Sequence, residues 1–270
     1  MPTFYILLLF SWTSFLVKTD PIIPHARHAY TVISHRGNHV NAPENTLLAY
    51  EEAIRVGADY IEVDVRTSKD GQLVVMHDGN VERTTTSKGK VADFSAMEFT
   101  SLQIRDERFP LLPALHPPTF EDVLRMAKGR IHLYIDDKDA DPAQVAVLLQ
   151  KYQMDTCAVV YTSLNKCKLW KKALPHIATM VSLPKSVNQA EALAKFLEDN
   201  PVDILDGGVT GYTPELVNAA QKLGALVWPD IQNPGENPEQ WNVPIKMGIK
   251  ALQTDHPEEL IKHLQSLGIR

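Results

Sequence analysis

"TVISHRGNHVNAPENTLLAYEEAIRVGADYIEVDVRTSKDGQLVVMHD" spans Thr31–Asp78, and its punctuation decides the fold. Four strand-forming residues, Thr31–Ser34, run into His35-Arg36-Gly37. A helical pattern follows over Thr46–Val56, and a second strand pattern over Tyr60–Val65. Strand, helix and strand at this spacing make a parallel unit. The next strand candidate, Leu73–Met76, is separated from Val65 only by "RTSKDGQ". A parallel crossover needs about a dozen residues or more. Asp70-Gly71 is instead a hairpin signal. Leu73–Met76 is therefore expected to pair antiparallel, outside the main sheet.

The alternation continues to the end of the chain. Strand candidates recur at Ile131–Ile135, Ala158–Thr162, Ala178–Leu183, Val202–Leu205, Leu226–Trp228 and Ala251–Thr254. Helix candidates are Thr119–Lys128, Pro142–Met154, Lys166–Leu174, Ala190–Leu197, Pro214–Leu223, Glu239–Gly248 and Pro257–Leu267. Thr213 and Asp141 each precede a proline at a first helical position, a strong start signal. With the hairpin strand set aside, eight strands are each followed by a helix. That is the arithmetic of an α/β protein of the (β/α)8 TIM-barrel type over residues 30–270. Residues 79–118 form an insertion after strand two, too long for an ordinary connection and expected to cap the barrel mouth.

A chain of 270 residues, 44% hydrophobic, can bury a core without disulfide staples. A net charge of −6 with no basic block argues against a nucleic-acid partner. The apolar run "FYILLLFSWTSFLV", Phe4–Val17, is shorter than the roughly 20 residues of a membrane span and suits the core of an export signal. No Lys or Arg precedes it and no Ala-x-Ala follows. Residues 1–19 are read as a signal peptide, giving a periplasmic or secreted protein; left uncleaved, they would anchor it to a membrane. Residues 20–29 are read as a linker, His25 and His28 included. Nothing in the pattern brings Cys157 to Cys167, and both are read as unpaired thiols.

A barrel carries its chemistry at the carboxyl ends of its strands. His35-Arg36 closes strand one, Glu62 and Asp64 lie two apart in strand two, and His77-Asp78 closes the hairpin strand. Asp136 and Lys138 end the next strand. Alternate strand residues share a face, so Glu62 and Asp64 point to one side. Three converging carboxylates call for a hard divalent cation, Mg²⁺ or Ca²⁺. Two histidines, with a reference pKa of about 6.5, serve as base and acid near neutrality. An Arg and a Lys clamp a phosphate. Together these describe phosphodiester cleavage. His39 is read as a solvated loop residue, and Asp139 and Asp141 as the approach to a helix.

The pieces "HRG", "APENT", "IEVDVRTSKDGQLVVMHD" and "RTT", in that order, resemble the glycerophosphodiester phosphodiesterase family, a phosphatidylinositol-phosphodiesterase-like TIM barrel. "PPTFEDVL" from Pro117 and "TDHPEEL" from Thr254 extend the likeness over most of residues 31–260. The resemblance implies a phosphoric diester hydrolase that converts a small glycerophosphodiester to glycerol 3-phosphate and an alcohol. It implies His35 and His77 as the catalytic pair, Glu62 and Asp64 as metal ligands, and Arg36 as a phosphate contact. Asp136 stands where the family usually carries Glu, with Lys138 two residues on; the shorter carboxylate leaves Mg²⁺ and Ca²⁺ both open. Glu44 is expected to anchor Arg36 or touch the metal's surroundings, and Trp228 to form a pocket wall. "PDIQN" replaces the family's next residues, Thr-Val-Asn. Asp136-x-Lys138 also resembles spider-toxin-like phospholipase D relatives. This keeps a phospholipase D-like or lysophospholipid phosphodiesterase open, with membrane contact for a lysolipid substrate. A non-catalytic barrel that binds a phosphorylated ligand is the remaining alternative; it would not need two histidines. The sequence leaves the headgroup, the oligomeric state and the choice between cyclic-phosphate formation and direct water attack open.

Overall fold

The computed structural model describes residues 21–270; the predicted signal segment lies outside the described residues. The opening unit is β1 (Thr31–Ser34), α1 (Leu47–Val56) and β2 (Tyr60–Thr67), followed by the short β3 (Leu73–Val75). The insertion holds α2 (Ala96–Ser101). Then come α3 (Phe120–Ala127), β4 (His132–Asp137), α4 (Pro142–Tyr152), β5 (Ala158–Tyr161) and α5 (Leu164–Ala173). β6 (Ala178–Ser182), α6 (Ala190–Asp199), β7 (Ile204–Asp206) and α7 (Pro214–Lys222) follow. The chain ends with β8 (Leu226–Val227), β9 (Asp230–Ile231), α8 (Pro238–Lys246), β10 (Ala251–Thr254) and α9 (Pro257–Ser266).

The strands form one curled parallel sheet in the order β8-β7-β6-β5-β4-β2-β1-β10-β9. β8 pairs with β7 and β9 with β10, and the two are halves of one segment split at Trp228-Pro229. That segment closes the ring of eight, and Pro229, which has no N–H to give, explains the break. β3 pairs antiparallel with β2, Val65 opposite Val75, outside the ring as expected.

Helix starts follow local chemistry. The Thr46 side chain accepts from the Ala49 N–H, and Asp141 and Thr213 cap helices that begin with proline. Alternation sorts the strands into two faces. Ile61, Val63 and Val65 pack outward with Phe120, Leu124 and Trp170, whereas Tyr60 packs inward with Ile33, Tyr134, Met180 and Trp228. Val74, Met76, Val81, Val91, Phe99 and Leu102 make a separate small core that fixes the insertion on the hairpin.

Residues 21–29 are not a free linker. Ile22 pairs with Ile177, Ile23 packs against the inner core, and the Tyr60 hydroxyl donates to the Pro24 carbonyl at 2.6 Å. His132 donates to the His25 carbonyl, and His28 meets the buried Asp59 at 2.8 Å. These partners stand at strand starts, so the segment floors the barrel opposite the mouth. Ile23 is half-buried against the inner core there, while Ile22 stays exposed and is held by its backbone bridge to Ile177. Cys157 and Cys167 are free thiols. No helix among the described residues is long and apolar enough to cross a membrane.

Candidate active site

β1 stops at Ser34 and the chain reverses. Arg36 takes a φ of 51° and Gly37 one of 81°. A Cβ at Gly37 would lie 2.7 Å from the Ala49 carbonyl carbon, so glycine alone lets this turn close on α1. Left-handed backbone is uncommon for an arginine and is stored where geometry is needed. Here it turns the Arg36 N–H onto Glu62 Oε2 at 2.8 Å and the guanidinium towards Glu44 at 3.0 Å and Asp64 at 3.5 Å.

Glu62 and Asp64 follow Tyr60 on the inner face of β2, and Asp136 lies opposite Asp64 in the register of β4. The three carboxylates each place an oxygen within 4.8 Å of the others. Asn45 donates to Asp64 Oδ2 at 2.6 Å and is itself held by the Tyr50 hydroxyl at 2.7 Å. Lys138 Nζ lies 2.7 Å from Asp136 and 3.0 Å from Asp64. The balance stays negative, since Arg36 also serves Glu44. Burial, then Asp64 and Asp136, push the Glu62 carboxyl well above the usual range. Burial and Asp64 also raise Asp136, while at Asp64 Lys138 and Arg36 overcome the burial and lower it. An all-oxygen set short of positive charge fits a hard divalent cation.

The two histidines are each anchored at Nδ1. His35 Nδ1 meets Asp255 Oδ1 at 2.7 Å, and His77 Nδ1 meets Asp78 Oδ1 at 2.7 Å. With Nδ1–H donating, each ring turns Nε2 to the cavity, a lone pair in the neutral imidazole and an N–H donor in the imidazolium. Both residues line one cavity of about 160 Å³ with Arg36, Glu62 and Asp136. Burial lowers the His35 pKa, only partly opposed by Asp255. Burial alone would raise Asp255, but His35 and His39 hold it well below the usual carboxylate range. Arg66 fixes the hairpin end by donating to the Met76 and His77 carbonyls at 3.1 Å.

Several expectations need correction. His39 is not a solvated loop residue; its Nε2 shares Asp255 Oδ1 at 2.9 Å, because the turn at Gly37 folds it back over His35. Trp228 does not line the cavity. It is 5% exposed and packs edge-on against Tyr60 in the barrel core. Inward positions on this segment are 228 and 230, and 230 is two residues nearer the mouth, so Asp230 takes the wall position. Asp139 and Asp141 lead into α4 as expected, Asp141 as its cap, and Asp139 also pairs with Arg66 at 2.9 Å. Glu44 holds Arg36 as expected, and also Arg83 from the insertion at 2.7 Å. Asp255, Arg83, Asp206 and Asp230 went unassigned in the sequence. The strand-end rule that selected His35 would have marked Asp206, Asp230 and Asp255.

Residues 35–259 match the glycerophosphoryl diester phosphodiesterase family. The chain belongs to this family. A glycerophosphodiester phosphodiesterase of Caldanaerobacter subterraneus subsp. tengcongensis is 31% identical over 252 residues, 88% of this chain and 98% of the relative. One from Bacillus subtilis is 35% identical over 248 residues, covering 84% of this chain and 83% of the relative. The crystal structure of a glycerophosphodiester phosphodiesterase from Agrobacterium tumefaciens superposes with a TM-score of 0.73 at 26% identity, over 86% of this chain and 99% of that one. A phosphodiesterase of Oleispira antarctica, solved with the product sn-glycerol-3-phosphate, shares the fold at a TM-score of 0.69 and 19% identity, over 87% and 96% of the chains. Family members thus share this barrel, and the mouth described above is where the family's matched residues begin, at His35.

Proposed function

We propose that the protein hydrolyses glycerophosphodiesters to glycerol 3-phosphate and an alcohol, with His35 as base and His77 as acid. The observation that carries this is the pair of histidines, each anchored on a carboxylate, facing one cavity beside the carboxylate triad. Family membership and the product held by the Oleispira antarctica relative support the substrate class.

His35 is kept neutral by burial, so its Nε2 can take the proton of the attacking oxygen. As the phosphorus–oxygen bond to the alcohol breaks, His77 gives its proton to the leaving alkoxide. Arg36 and Lys138 stand beside the triad, where they would bind the non-bridging phosphoryl oxygens. Glu62, Asp64 and Asp136 would hold Mg²⁺ or Ca²⁺, which when bound supplies Lewis-acid stabilisation of phosphoryl charge. The insertion is proposed to cap the mouth, since Arg83 ties it to Glu44 and Asp78. Chelation should abolish turnover of glycerophosphodiesters and one of the two cations should restore it. Asp64→Asn should weaken cation binding in calorimetry while the thermal unfolding transition persists. Full turnover in metal-free protein would overturn the reading.

A lysophospholipid substrate is favoured by one feature. A groove of about 290 Å³ in the insertion is lined by Phe109, Pro110, Leu112 and Leu115 beside Arg105, and Leu111 is 96% exposed next to it. Lysolipids in the substrate panel test it. Export is proposed on the apolar run Phe4–Val17, and cell fractionation decides it.

A further inference from the structure

Across the cavity from the triad the wall is built differently. Tyr161, Ser182, Asp206, Asp230 and Gln253 line it, with the Tyr161 and Ser182 hydroxyls hydrogen-bonded at 2.8 Å. Arg36 and Lys138 lie on the triad side, against Glu44, Asp64 and Asp136, and not on this wall. Asp206 and Asp230 have no ion-pair partner among the described residues. Asp206 is 5% exposed and Gln253 4%, and Asp206 Oδ1 and Gln253 Oε1 are buried without a hydrogen-bond partner among the described residues. Asp206 Oδ1 and Gln253 Oε1 are thus acceptors without a donor, and burial together with Asp230 pushes the Asp206 carboxyl up to about 7, as befits a carboxylate pair with no cation beside it.

We propose that this wall seats the leaving alcohol of the substrate and selects a primary ammonium, so that the preferred diester carries an amino-alcohol headgroup such as ethanolamine. The inference rests on the hydrolase reading of the same cavity. An ammonium brings one positive charge and three N–H donors. The charge answers the carboxylate pair, and the donors answer Asp206, Asp230 and Gln253. A polyol would supply donors but no charge, leaving Asp230 and the ionised form of Asp206 without a cation. A trimethylammonium would supply charge and leave the buried acceptors bare. With the phosphate held by Arg36 and Lys138, a short amino alcohol extends towards β6, β7 and β9.

The test compares kcat/KM for glycerophosphoethanolamine, glycerophosphocholine and glycerophosphoglycerol in the wild type, Asp206→Asn and Asp230→Asn. The ethanolamine diester should be preferred about tenfold or more, and the preference should collapse in both variants. Absence of a preference in the wild type, or equal losses on all three diesters in the variants, overturns the proposal. Should Asp206→Asn fail to fold, Asp230→Asn, at a half-buried position, carries the measurement. Titration calorimetry of the three diesters with His35→Ala protein reads the wall without turnover. If the wild type cleaves no diester, the hydrolase reading fails, and tighter binding of the ethanolamine diester still decides the headgroup: its presence sustains the proposal, its absence overturns it.

Discussion

The two histidines are held by the same bond in opposite surroundings. His35 is anchored by Asp255, 220 residues away, in a site where both side chains are about an eighth exposed, 12% and 13%. His77 is anchored by the adjacent Asp78, and the two are 36% and 34% exposed. Asp255 is further fixed by its backbone N–H on Glu236 and carries His39 on the same oxygen. Asp78 is held by Arg83, which keeps its carboxyl well below the usual range, with His77 adding to the effect. A buried ring on a remote carboxylate is oriented and its pKa lowered by burial, which suits the base role proposed for His35. A ring at the rim, on a neighbouring carboxylate, is open to solvent, which suits the acid role proposed for His77.

The sharpest way to break this comparison is to remove each ring. His35→Ala and His77→Ala should each lower kcat by about 10²–10⁴-fold, with cation affinity nearly unchanged in calorimetry. A diester with a very good leaving group should partly rescue His77→Ala and leave His35→Ala unimproved. Equal rescue would dissolve the division of labour.

A smaller effect should come from the anchors. Asp255→Asn should cost kcat more than Asp78→Asn, because loss of the tautomer-fixing acceptor is severe for a buried base. The pH profile adds a sign. Asp255 raises the His35 pKa against burial. Without that carboxylate the His35 pKa falls further, and the acidic limb of kcat/KM, where the base is lost as pH falls, should move to lower pH. An acidic limb that moves upward contradicts the pairing. The smallest change is expected for His39→Ala, a few-fold loss in kcat at most, since Asp255 keeps its bond to His35.

Much of this was legible in the residues. β1 and β10 lie where the apolar runs place them, and the hairpin was decided by seven residues between Val65 and Leu73. Glu62, Asp64, Asp136, His35 and His77 could be found because strand ends and alternation are local rules. The short α2 was missed, because six residues inside an insertion carry too little periodicity.

The sequence by itself determined the barrel, the inward carboxylates and the two histidines, since each depends on turn chemistry and a period of two residues. Tertiary structure decided the depth of each wall residue and the partners of each charge. Trp228 and Asp230 are two steps apart on one segment, yet one is core and one is wall, and only closure of the ring sets which level meets the cavity. Asp255 reaches His35 because β10 pairs with β1, a neighbour relation between the two ends of the chain. The floor under the barrel follows the same reason: residues 21–29 acquire their partners only once the strand starts they cover have been brought into a ring.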